Sequence, residues 1–171
     1  MIDEKFIFVA VALILFGDFT YLVYTIKGRV RPNKVTWFLW GLAPLLAFAA
    51  QLREGVGLSS LTTFAFGALP LFIFAASFFN RKAYWKVTNF DLMCGALALT
   101  GLILWQVTQV GNWAILFGVL ADGAAAVPTV IKSYKAPETE NYLVYFFNPL
   151  GAIITLLTLK TWDFTHYAFP V

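Results

Sequence analysis

Residues 26–47 read IKGRVRPNKVTWFLWGLAPLLA, and residues 131–152 read IKSYKAPETENYLVYFFNPLGA. Slid on itself by 105 positions, the chain brings Ile26-Lys27 onto Ile131-Lys132, Pro32 onto Pro137 and Pro44-Leu45 onto Pro149-Leu150. Trp37 and Trp40 then face Tyr142 and Tyr145. Six of these 22 positions are identical, where chance supplies about one or two. The sequence therefore contains a duplication, and each copy begins at a basic loop and runs into a proline-bearing apolar segment.

What surrounds the two copies sets the solvent. Of the 171 residues, 60% are hydrophobic and 12% are charged, about half the charged share of a soluble domain. Mean hydropathy is +0.76, spread along the whole chain, so a bilayer is the expected surroundings. A helix needs about 20 apolar residues to cross. Six such segments are expected at about 6–26, 35–52, 60–79, 90–108, 112–131 and 142–159. The uncharged tract from Leu92 to Ala121 is divided by a turn at Gln109-Val110-Gly111-Asn112. The first apolar run lacks the basic flank and small-residue cleavage site of a signal peptide. Cys94 is the only cysteine, which rules out an intrachain disulfide.

Positive charge gives an orientation. Loops after spans one, three and five carry Lys27, Arg29, Arg31, Lys34, Arg81, Lys82, Lys86, Lys132 and Lys135, and the opposite side carries Lys5, Arg53 and Lys160. Nine against three places the amino terminus of a multi-pass cell-membrane protein outside the cytoplasm. The net charge of +3 is thereby accounted for without a nucleic-acid partner. The expected organisation is all-α: a first triple-helix repeat over 1–80, a linker loop and fourth helix over 81–110, and a second repeat over 111–171. Residues 164–171 would begin a third helix in that copy, as in a truncated seven-span protein. Copies that start four spans apart keep the same sidedness, so the repeats are parallel, with a site between them.

The stretch Ala121-Asp122-Gly123-Ala124-Ala125-Ala126-Val127-Pro128-Thr129-Val130-Ile131-Lys132-Ser133-Tyr134 resembles the motif of the PQ-loop superfamily, which includes the SWEET sugar transporters. Pro128-Thr129 stands where that motif has proline-glutamine, and the first copy has Val23-Tyr24 there. The resemblance implies a carrier with parallel triple-helix units, an outward amino terminus and proline hinges, matched here by Pro44, Pro128 and Pro149. Proline removes a helix hydrogen bond and leaves a point where the helix bends. SWEET carriers also have a sugar-binding asparagine within the third helix of each repeat, whereas Ser60–Phe79 contains none and Asn80 follows it.

Asp18 and Asp122 lie within the first and fifth spans, equivalent to within one residue under the repeat. A carboxylate at the bilayer centre costs at least about 2.5–3.5 kcal/mol, so these two are the expected proton-coupling residues, or else helix-contact groups. Asn148 beside Pro149, Thr129 beside Pro128, and the aromatic pair Trp40 and Tyr145 are the expected substrate contacts. Trp37, Trp40, Tyr84, Trp85, Trp113, Tyr142, Tyr145 and Trp162, near span ends, read chiefly as an interfacial belt. Gly41, Ala43 and Ala124 to Ala126 read as close-packing positions.

No catalytic motif is present, and His166 is the only histidine. An intramembrane acid–base pair would need the Asp18 and Asp122 oxygens within about 3 Å of each other. The sequence thus predicts a non-enzymatic protein without metal or cofactor, whose partners are the lipid bilayer and a small polar solute such as a sugar. It would work by alternating access, possession of the same fold by ligand-sorting receptors being the alternative.

Overall fold

The computed structural model describes residues 2–53, 55–79, 81–83, 85–108 and 111–167. Six long helices account for most of them: α1 Phe6–Ile26, α2 Lys34–Arg53, α3 Ser60–Phe79, α4 Asn89–Thr108, α5 Gly111–Lys135 and α6 Tyr142–Thr158. A single turn, α7 Phe164–Tyr167, follows, and among the described residues there is no strand. The fold is all-α, as the sequence predicts. Gln109, Val110, Asn80, Tyr84 and residues 168–171 lie outside the described residues. Three helical segments, Phe6–Ile26, Lys34–Arg53 and Gly57–Phe79, are long and apolar enough to cross a membrane, whereas the apolar runs Asn89–Leu104 and Tyr142–Thr158 are shorter.

Local chemistry sets the helix ends. Gly28, at φ 67°, closes α1 in a Schellman motif. Its N–H reaches the Thr25 carbonyl at 2.9 Å, and the Arg29 N–H reaches Tyr24 at 2.9 Å. The Asn33 side chain accepts from the Val35 N–H at 3.0 Å to start α2, and Asn141 does the same for Leu143 at the start of α6. Thr88 and Asp91 form a reciprocal capping box on α4. The Asn33 amide also donates to Asp91 at 3.0 Å, which joins the starts of α2 and α4. Helix α5 runs four residues past its expected end at 131, because Lys132-Ser133-Tyr134-Lys135 meets no breaker before Pro137.

Helix α3 packs between α1 and α2, α6 packs along α1, α4 along α5, and α2 bridges to α5 and α4. Small residues permit the closest approaches. A Cβ at Gly67 would meet the Gly41 carbonyl at 3.0 Å, and one at Gly101 would meet the Phe117 carbonyl at 3.1 Å. Leu39, Ala43, Ala98, Leu102, Ala121 and Ala125 form a core where α2, α4 and α5 converge. Thr36 Oγ1 donates at 2.7 Å to the Ala125 carbonyl, in the α5 turn loosened by Pro128.

The distribution of polarity is the reverse of a water-soluble protein. Asp18, Thr25, Thr36, Thr62, Thr129 and Thr155 are buried, while Phe16, Phe19, Phe72, Leu97, Ile103 and Val130 face outward. Loops carrying most of the cations gather at one end. There the Arg31 N–H bonds the Thr139 carbonyl at 2.9 Å, and Lys132 lies 4.9 Å from the centre of the Trp85 ring. At the other end the Ile2 N–H bonds the Leu157 carbonyl and Lys160 pairs with Glu4.

Two expectations are corrected here. Lys132 is a buried residue of α5, not a solvated loop cation. The aromatic belt also divides: Tyr142 and Trp162 are exposed, but Trp37 is 1% exposed and Trp40 and Tyr145 turn inward. Tyr84 and the side chain of Trp113 lie outside the described residues.

The α1–α6 contact gives a first test. A Cβ at Gly151 would stand 2.6 Å from Ile14 Cγ1 and 2.9 Å from the Ala10 carbonyl oxygen, and one at Gly17 would stand 3.1 Å from Phe147 Cβ. Gly151→Ala is expected to cost about 1–3 kcal/mol by overpacking, a loss only partly offset by alanine's higher helix propensity. Equilibrium unfolding in detergent micelles measures it. Wild-type stability in this variant would mean that α1 and α6 part freely.

Candidate functional site

The helices converge on a cavity of about 240 Å3 lined by Trp37, Trp40 and Pro44 of α2, Phe66 and Pro70 of α3, Asp122 of α5, and Val144, Tyr145, Asn148 and Pro149 of α6. This is smaller than the roughly 300–1,000 Å3 of sites for drug-sized ligands, so its occupant is compact. The two residue pairs matched by the 105-residue offset, Trp40 with Tyr145 and Pro44 with Pro149, line this one cavity. Each proline sits inside its helix, so both prolines weaken the backbone at the level of the cavity.

Its chemistry is aromatic and acidic. Trp37 lies against Tyr21 with ring centroids 4.4 Å apart and meets Trp40 edge-on at 5.5 Å. Among the described residues Asp122 is the only acidic or basic one in the wall. Behind the wall Asp18 is wholly buried, and Asn148 Nδ2 donates to its Oδ1 at 3.1 Å. That bond leaves Asp18 Oδ2 and Asn148 Oδ1 buried with no hydrogen-bond partner, and Trp40 Nε1 is in the same state. Such groups are expensive to leave unpaired.

A buried polar latch lies beside the cavity, on the side of the basic loops. The Tyr21 and Tyr145 hydroxyls both donate to Glu140 Oε2 at 2.8 Å. Lys132 Nζ donates to Glu140 Oε1 and to the Arg31 carbonyl. The Lys132 and Glu140 side chains are 1% and 6% exposed. One carboxylate thus joins α1, α5 and α6, Lys132 adds the loop between α1 and α2, and of the two tyrosine partners Tyr145 lines the cavity while Tyr21 packs against Trp37.

Of the expected site residues, the structure brings Trp40, Tyr145, Asn148, Asp122, Pro44 and Pro149 together at the cavity. Asp18 reaches it only through Asn148. Thr129 and Pro128 are buried in α5 away from the lining, and Thr129 Oγ1 has no partner. Asp18 and Asp122 share no hydrogen bond among the described residues, and the partner of Asp18 is an amide. Pro70, Phe66, Trp37, Val144 and the Glu140 latch are not foreseen from sequence. A third proline could have been sought in α3, but nothing local marks Glu140 among the loop acids. Among the described residues no group of three metal-ligating side chains occurs. No protein-family model, characterised protein or solved structure matches the chain.

Proposed function

We propose that this chain is a membrane carrier of a compact polar solute, working by alternating access in the manner of the PQ-loop carriers it resembles. One observation carries the reading. A mainly apolar, aromatic cavity that carries Asp122, Asn148 and Tyr145 in its wall lies between helices of both repeat copies, with a proline in each opposing helix and a breakable latch of ionic and hydroxyl groups beside it. The outward apolar surface and the three apolar helices support a multi-pass location in the cell membrane. The clustering of basic loops at the latch end supports an amino terminus outside the cytoplasm, which makes the latch a cytoplasmic closure.

Uptake of labelled sugars, amino acids, organic acids and organic cations into proteoliposomes tests the proposal. Accumulation above empty vesicles is expected for at least one class, and failure across all four would sink it. Proton coupling by Asp18 or Asp122 has its own readout: Asp18→Asn or Asp122→Asn should abolish uptake driven by a pH gradient. Unchanged pH dependence in both variants would end that part. A ligand-sorting receptor is the second reading, favoured by the deep burial of the latch, and solute binding without uptake would select it.

A further inference from the structure

We propose that the central cavity is a binding site for a compact organic ammonium ion, held by Asp122 and backed by the Asp18–Asn148 pair within the walls formed by Trp37, Trp40 and Tyr145. This rests on the carrier reading, whose solute it specifies.

Charge decides the class. Among the described residues the cavity wall contains one carboxyl group and no lysine, arginine or histidine. Lys132, the buried cation at that end, already pairs with Glu140. An anionic solute would meet Asp122 with like charge and no counterion. A neutral polyol would give hydrogen bonds but leave the ionised form of Asp122 uncompensated in a poorly solvated space, which is costly. A cation removes that cost.

The walls point the same way. Aromatic rings present negative faces, and cation–ring attraction grows when water is excluded, which is how aromatic cages recognise ammonium groups. The orphaned Asn148 Oδ1 is an acceptor that N–H or polarised C–H groups of an ammonium ion would satisfy, and Asp18 stands behind it as a second carboxyl group. Trp40 Nε1 is a spare donor for a hydroxyl elsewhere on the same molecule. The volume of about 240 Å3 admits only a small ion of this kind.

The test uses matched probes on the purified full chain in detergent. Choline is compared with its uncharged carbon analogue 3,3-dimethylbutan-1-ol, and ethanolamine with ethylene glycol. At least one cation should raise the melting temperature in a saturable way while its neutral counterpart does not. Asp122→Asn should weaken binding of that cation about thirtyfold or more, Asp122→Glu should retain it, and Trp40→Leu should weaken it more than Trp40→Phe. Equal shifts from charged and neutral probes, no shift from either cation, or full binding by Asp122→Asn would overturn the inference. If Asp122→Asn does not fold, the matched probes on the wild-type chain decide alone. Uptake of a neutral solute with no cation binding would keep the carrier and remove this site. Cation binding without uptake would keep the site and remove the carrier.

Discussion

Replacing Glu140 by alanine is expected to destabilise the folded protein by about 3–5 kcal/mol, the usual result of leaving one partner of a buried ion pair uncompensated. Lys132 would keep the Arg31 carbonyl and the Trp85 ring but no counter-charge among the hydrogen-bond partners described, and the Tyr21 and Tyr145 hydroxyls would both lose their acceptor. The defect can be divided. Glu140→Gln preserves an acceptor for the tyrosines but not the negative charge, so it should fall between wild type and Glu140→Ala. Adding Lys132→Met to Glu140→Gln removes the stranded cation and should recover much of the loss, since neutralising both members of a buried pair is often tolerated. Equilibrium unfolding in detergent micelles reads the series. An alanine variant as stable as wild type, or a double variant no better than Glu140→Gln, would show that the latch carries no weight.

Trp37→Ala should cost a similar amount, about 3–5 kcal/mol, for a different reason. Among the described residues Trp37 is the largest fully buried side chain, and it packs with Tyr21, Val30, Ile73 and Val144. In the proposed lipid setting there is little hydrophobic drive between helices, so the cost comes from lost dispersion contacts and the void that remains. Trp37→Phe should lose less, because a ring still meets Tyr21. The same unfolding measurement applies. A loss below about 1 kcal/mol for Trp37→Ala would mean that α1 and α2 relax into the space, against the close packing seen there.

The elements legible in the sequence are those written in local pattern. Apolar runs place all six long helices to within a residue or so except the end of α5, and the 105-residue offset picks out Trp40, Tyr145, Pro44 and Pro149, which share one cavity. Asp18 and Asp122 show where offset alone falls short. The strict equivalent of Asp18 is Gly123, one residue from Asp122. One residue turns a side chain by about 100° around a helix. Asp122 accordingly faces the cavity, and Asp18 lies behind Asn148. Glu140 is hidden for a second reason. Its partners are Tyr21, Lys132 and Tyr145, and the contact with Tyr21 spans 119 positions, a separation no periodicity encodes.

The seam between α1 and α6 is drawn tight by Gly17 and Gly151, and α6 is also tied to α3 by the 2.9 Å Thr62–Thr155 hydroxyl bond. Although α6 belongs to the second copy in sequence, it is bound to the first in space. With α2 packed on α3 and α3 on α1, these four helices make one block, and the pair α4 and α5 meets it chiefly through α2; a displacement within the bundle would therefore fall at the α2 joint and leave the glycine seam unmoved.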